Sequence, residues 1–279
     1  MKKKEFSYIV NSIYYIVLTL IAVIFVFPTF WMVTTALKPT KDIFKIPPVW
    51  LPKPPHWEIF REAWHKRPFN LYLKNSLIIV TLDLVGVLFT SSLVAYSFAR
   101  LRWPGRDIFF LITLCTLMLP SQVTIIPLFI IFNRLGMVNT YYPLVLPSFL
   151  GGGAFNIFLL RQYYKTLPTD LDDAARIDGC NNFQIYWQIL LPLMKPALAA
   201  VAIFTFMGQW NSFLIPLIYL NDERKFTLPL GLSAFRYEFE VSWNHLMAAS
   251  FLTLLPCIVI FFIAQKFFIQ GITLTGLKE

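Results

Sequence analysis

An all-α integral membrane protein crossing the bilayer six times is the fold class this sequence predicts. Three observations point there. The 279 residues are 57% hydrophobic and only 14% charged, whereas a soluble domain carries about 25% charged residues to face water. Mean hydropathy is +0.62. The apolar residues gather in continuous runs, and in hydrocarbon only helices and closed barrels satisfy their own backbone, so unbroken runs read as helices.

A helix needs about 20 mostly apolar residues to cross the membrane. The stretches 12–36, 73–98, 108–132, 141–162, 197–220 and 246–269 meet that requirement, and residues 1–279 read as a single transmembrane domain. Lys2, Lys3 and Lys4 precede the first run as in a signal peptide. That run, Ile13 to Leu37, exceeds the roughly 7–15 residues of a signal core and no small-residue cleavage site follows, so we read it as a retained helix. The proline-rich stretch 46–57 forbids a helix interior and predicts an ordered surface loop, with Trp50 and Trp57 suited to the membrane interface. A short amphipathic helix should follow at about 57–67. Pro28, Pro120, Pro127, Pro143, Pro147, Pro216 and Pro256 fall inside apolar runs and predict kinks. Gly151-Gly152-Gly153 allows close packing or a bend.

Net charge is +9 and the isoelectric point about 9.5. In a soluble protein that balance would suggest nucleic acid. Here Lys and Arg flank the apolar runs, where they anchor helices against headgroups, so the implied surrounding is the lipid bilayer and no nucleic-acid partner is expected. With the N-terminus inside, the 24 Lys and Arg residues divide evenly between the two sides, so the count does not orient the chain. The cluster Arg100-Leu-Arg-Trp-Pro-Gly-Arg106 on a short loop favours that loop being cytoplasmic. Cys115, Cys180 and Cys257 match no metal or disulfide spacing, and His56, His65 and His245 are scattered. We expect no catalytic or metal centre. The chain lacks Gly-x-x-x-x-Gly-Lys-Ser/Thr, so ATP binding by a P-loop belongs to another chain.

The polar stretch from Arg161 to Pro196 has readable local chemistry. Thr169 followed by Asp172 has capping-box spacing, and Asp170, Asp172 and Asp173 complement the helix dipole. Gly179 supplies a stop, and a second short helix should run from about Phe183 to Leu190, ended by Pro192. Two short helices joined at Gly179 serve either as an amphipathic connector or as a docking element.

Asp173-Ala174-Ala175, three residues, Gly179, nine residues, then Ile189-Leu190-Leu191-Pro192 resembles the signature loop of permease subunits in bacterial binding-protein-dependent ABC importers. That signature reads Glu-Ala-Ala, three residues, Gly, nine residues, Ile, one residue, Leu-Pro, and Asp173 is the single departure. Ala36-Leu-Lys-Pro39, Asn75-Ser76-Leu77, Leu135-Gly-Met-Val-Asn-Thr140, Gln209-Trp-Asn-Ser212 and Phe268-Ile-Gln-Gly271 resemble the carbohydrate-uptake branch, nearest to the second, six-helix permease subunit of maltose-type importers. The resemblance implies the six-helix permease fold and a location in the bacterial cytoplasmic (inner) membrane with both termini cytoplasmic. It implies a coupling loop made of Asp173, Ala174, Ala175, Gly179, Ile189, Leu191 and Pro192 that docks into an ATPase cleft. The implied partners are a second homologous permease subunit, an ATPase subunit dimer and an extracytoplasmic sugar-binding protein. ATP and Mg would sit on the ATPase, with no cofactor in this chain. On this reading Ala174 and Ala175 permit close approach to the partner, and Gly179 permits a turn that a Cβ would crowd.

Asn75, Gln122, Gln209 and Asn211 are polar residues within predicted helices and Trp210 offers a stacking surface. Each either lines a translocation path or hydrogen-bonds a neighbouring helix. Asp83, about ten residues into the second helix, is either a cavity-lining or gating residue or a buried partner for a polar group on the other permease subunit. A secondary transporter would show internal repeats and more midplane ionisable groups. An enzyme would show a nucleophile–base or metal constellation. An importer for another small solute, such as glycerol phosphate, would share the coupling loop.

Overall fold

The computed structural model describes residues 2–235 and 242–275, with backbone alone at 2–7, 9, 234 and 266–275. Arg236, Lys278 and the C-terminal end lie outside the described residues, as do the side chains of the Phe268-to-Gly271 stretch. Every regular element among the described residues is helical. In order they are α1 (Lys2–Ala36), α2 (Glu58–Lys66), α3 (Phe69–Arg100), α4 (Arg106–Cys115), α5 (Ser121–Arg134), α6 (Tyr142–Val145), α7 (Ala154–Thr166), α8 (Asp170–Ile177), α9 (Asn182–Gln184), α10 (Leu191–Leu193), α11 (Lys195–Trp210), α12 (Leu214–Tyr219), α13 (Leu228–Ala234) and α14 (Trp243–Thr275). A π-helix, Ile185–Leu190, joins α9 to α10.

Four helical stretches are long and apolar enough to cross a membrane by themselves: Val10–Ala36, Phe69–Arg100, Tyr142–Thr166 and Trp243–Gln265. Two more spans form only if bent pairs are counted as one, Arg106–Met118 with Ser121–Arg134 at 100° and Asn182–Leu193 with Lys195–Trp210 at 78°. The run read as 108–132 therefore turns sharply before Pro120, and the run read as 197–220 is interrupted between α11 and α12. Each of the two bends has a proline at the start of the following helix, where its missing N–H is harmless: Pro120 immediately precedes α5 and Pro196 lies in the first turn of α11.

Residues divide into two compact units, Met1–Pro68 with Leu232–Leu255, and Phe69–Gly231 with Pro256–Glu279. In the first, α1 is exposed to its surroundings along most of its length, as at Ile24 (69%) and Phe25 (78%), which suits a helix facing lipid. α2 buries Ile59 and Ala63, one turn apart on its apolar face. Lys38 is fully buried with its ammonium 4.0 Å above the Trp31 ring, and Asn244 donates to the Lys38 carbonyl.

The second unit is organised around α3, against which α7 and α11 pack. At one place the approach is too close for a side chain. A Cβ on Gly152 would lie 2.8 Å from both the Ser91 Cβ and the Val87 carbonyl, and its φ is +68°. The triple glycine is thus used for close packing and for a turn together.

Candidate functional site

The segment from Thr169 to Met194 is built onto the C-terminal end of α3. Ala175, Ile185, Tyr186, Leu190 and Met194 join Ala95, Tyr96, Phe98, Leu160 and Tyr164 in one buried cluster. Three polar side chains on successive turns of α3 tie the segment down. The Ser92 hydroxyl meets the Tyr186 hydroxyl at 2.8 Å, and the Tyr96 hydroxyl donates to the Asn182 carbonyl at 3.0 Å. Arg100 donates to the Leu167 carbonyl at 2.8 Å and pairs with Asp172 at 3.4 Å, both side chains less than a tenth exposed. Burial pushes the Asp172 carboxyl above its usual value while the Arg100 guanidinium pulls the other way. The pair is not saturated: Arg100 Nε and Asp172 Oδ2 have no hydrogen-bond partner.

Several local expectations need correction. Thr169 does not cap α8; its φ −70° and ψ −24° are helical, whereas a capping residue sits in the extended region with its oxygen aimed back at the first turn. The capping box belongs to α9, where Asn181 and Gln184 satisfy each other's backbone N–H groups. Pro192 does not end a helix but starts α10. It cannot donate to the carbonyl four residues back, and its ring crowds that carbonyl. The π-helical winding of Ile185–Leu190 widens the turn where a normal one would clash. Gly179 needs glycine because its φ is +81°, not because of crowding: a Cβ there would meet nothing within 4 Å.

The two alanines also part company. Ala175 is 3% exposed and faces the chain's own core, while Ala174 is exposed. Asp173, Ala174 and Ile177 form the outward face of α8, with Ile177 87% exposed. Phe183 (61% exposed) and Trp187 (51%) stack at 6.3 Å further along. Ile189 and Leu191 are half-buried, Pro192 exposed. An exposed apolar, aromatic surface therefore lies beside a buried ion pair.

The path residues do not converge on one cavity. Asn75 spends its amide on the Arg224 and Phe226 carbonyls, both at 2.9 Å. Asp83 accepts from the Ser148 hydroxyl, so its partner lies within this chain. Gln209 reaches the Leu144 carbonyl at 3.4 Å, Trp210 stacks on Phe206 at 5.2 Å, and Asn211 bonds the Met207 carbonyl. Gln122 stands exposed in the first turn of α5, beside the 100° bend. Among the described residues no group of three His, Cys, Asp or Glu side chains comes together to hold a metal.

Sequence reading missed Ser92, Tyr96 and Arg100 as parts of this site. Arg100 was visible only as a loop charge, since nothing in one sequence pairs it with Asp172. The Asn181-to-Gln184 spacing was the one readable signal passed over.

Comparison with known proteins gives the chain a family. The chain is 36% identical to the arabinooligosaccharides transport system permease protein AraQ of Halalkalibacterium halodurans, over 99% of both chains. It is 33% identical to the sn-glycerol-3-phosphate transport system permease protein UgpE of Yersinia enterocolitica, over 92% of this chain and 94% of that one. Its fold matches a chain in the crystal structure of a bacterial ABC transporter involved in the import of the acidic polysaccharide alginate, with a TM-score of 0.82, 23% identity and coverage of 93% and 96%. Residues 87–274, which include the whole segment on α3, match the family described as binding-protein-dependent transport system inner membrane component. This chain belongs to that family and is an ABC-importer permease.

Proposed function

We propose that this chain passes a sugar or oligosaccharide into the cytoplasm, driven by ATP hydrolysis on a separate subunit, and that the Thr169–Met194 segment is where the ATPase acts. The attachment of that segment to α3 carries the proposal. A displacement applied to the exposed face of α8 is transmitted through Arg100–Asp172, Tyr96–Asn182 and Ser92–Tyr186 to a membrane-spanning helix, and across the 78° bend to α11. Asp173, Ala174 and Ile177 meet the partner; Ala175, Gly179 and Pro192 shape the segment. With this face cytoplasmic, both termini lie inside. The chain itself performs no catalysis; the ATPase pair carries ATP and Mg, a second permease subunit completes the channel, and a binding protein delivers the solute. Of the path residues, exposed Gln122 is the one placed to meet solute hydroxyls.

The cargo class rests on the oligosaccharide relative; the glycerol-phosphate relative supports a second reading. Uptake into vesicles holding the purified complex separates them. ATP-dependent accumulation of an oligosaccharide, undiminished by excess glycerol phosphate, is expected, and the opposite selectivity transfers the assignment to the second solute. Recovery of the chain as a lone monomer with gradient-driven uptake would overturn the proposal altogether.

A further inference from the structure

The turn between α3 and α4 carries charge that nothing above uses. Arg102, Trp103, Gly105, Arg106, Asp107 and Ile108 line a cavity of about 380 Å³. Its one carboxylate, Asp107, lies 3.0 Å from Arg106 and 3.9 Å from Arg161, with Lys165 near enough to act on its charge. Arg106 engages both Asp107 oxygens, and Arg161 is held by the Phe98 carbonyl and lies 3.8 Å from the Phe110 ring. Arg102 is exposed and makes no hydrogen bond or ion pair among the described residues. Positive charge is therefore in excess. Trp103 stands beside it, its indole fixed by a hydrogen bond to the Ser97 hydroxyl at 3.1 Å.

Ile108 both lines this cavity and heads an apolar stripe. Ile108, Leu111 and Ile112 are 65%, 61% and 55% exposed, and spacings of three and four residues put them on one face of α4. A cationic cavity joined to a membrane-facing hydrocarbon stripe matches an anion that carries its own hydrocarbon.

We propose that this cavity holds the headgroup of an anionic phospholipid, with Arg102 contacting the phosphate, Trp103 at headgroup level, and an acyl chain along Ile108, Leu111 and Ile112. Basic pockets between membrane helices take such headgroups for this reason. A soluble organophosphate shares the headgroup chemistry but not the stripe, and an acidic side chain of another subunit fits only the charge.

Native mass spectrometry of the full-length chain in its purified complex tests this, after equilibration with phosphatidylglycerol or phosphatidylcholine. Phosphatidylglycerol should be retained over phosphatidylcholine. Arg102→Gln should lower that retention about fivefold, and Ile108→Ser with Ile112→Ser should lower it while leaving the chain assembled. Excess glycerol 1-phosphate should not displace the lipid. Equal retention of both lipids, no change in Arg102→Gln, or displacement by the soluble phosphate would each sink the proposal. Lipid bound only after the other subunits are stripped away would identify a protein occupant instead. None of these outcomes depends on which solute is carried.

Discussion

The two ends of α3 do the same job in opposite ways. At the N-terminal end Tyr72 donates to Glu223 at 2.7 Å, Asn75 to the Arg224 and Phe226 carbonyls, and the Leu228 N–H to Ser76 at 2.8 Å. A Cβ on Gly231 would lie 2.3 Å from the Tyr72 ring, so the 223–231 stretch is pressed flat onto the helix. At the C-terminal end the bonds from Ser92 and Tyr96 are joined by a buried ion pair, whose Arg100 Nε lacks a hydrogen bond, and by a π-helical turn. One end is close-packed, with the buried Thr227 hydroxyl left without a hydrogen-bond partner. The other hangs on a buried ion pair and a widened turn, and packed interfaces switch between discrete arrangements rather than deform. On the proposed function, the first end is a fastening and the second a moving joint.

Breaking the joint outright should have the largest effect. Arg100→Met leaves Asp172 buried without its partner, at a cost of about 3–5 kcal/mol. Vesicle uptake should disappear, and adding Asp172→Leu should restore thermal stability but not coupling. Uptake unchanged in the single variant would show that the pair transmits nothing. Ala175→Leu overpacks the segment's core by about 1–3 kcal/mol and should uncouple ATP hydrolysis from uptake. Exposed Ala174→Leu should instead weaken ATPase binding at unchanged stability, and identical profiles for the two would erase the distinction between inner and outer faces.

At the fastening, Asn75→Ala strands two carbonyls at about 1–3 kcal/mol. Stability should fall while the ratio of solute moved to ATP hydrolysed stays constant; a changed ratio would make both ends joints. Gly179→Ala meets no steric barrier and should cost about 1 kcal/mol for the left-handed backbone, with Gly179→Asn milder; loss comparable to Arg100→Met would reveal an unseen contact. The smallest effect is with pH. A carboxyl raised on folding favours the folded state below its ordinary value, 3.8 for Asp172, and that contribution is lost as pH climbs through the raised value. The melting temperature of the wild type should drop over that rise relative to Asp172→Asn, and parallel curves would mean the carboxyl is not titrating there.

Hydropathy made the spans legible because lipid exposure leaves α1, α3 and α14 apolar over whole turns. It was blind to direction, so the 100° bend before α5 and the 78° bend at Met194 were invisible: a run keeps its composition when it turns. Asp173-Ala174-Ala175 and Gly179 drew attention to the segment built onto α3, yet sequence assigned both alanines to the partner, because the face Ala175 presents depends on where α3 lies. Arg100 and Asp172 are 72 positions apart, and no local pattern links them. Asn75 looked like a path residue for a similar reason; membrane polarity marks a need for partners without saying whose.

The π-helical turn at Ile185–Leu190 carries a consequence for how this stretch tolerates insertions and deletions. Deleting one residue there would let the winding relax toward an ordinary α-helix. That relaxation absorbs the lost residue, so buried Met194 and α11 would keep their facing. An inserted residue has no such slack and would swing every side chain downstream by about 100°, carrying Met194 out of the core.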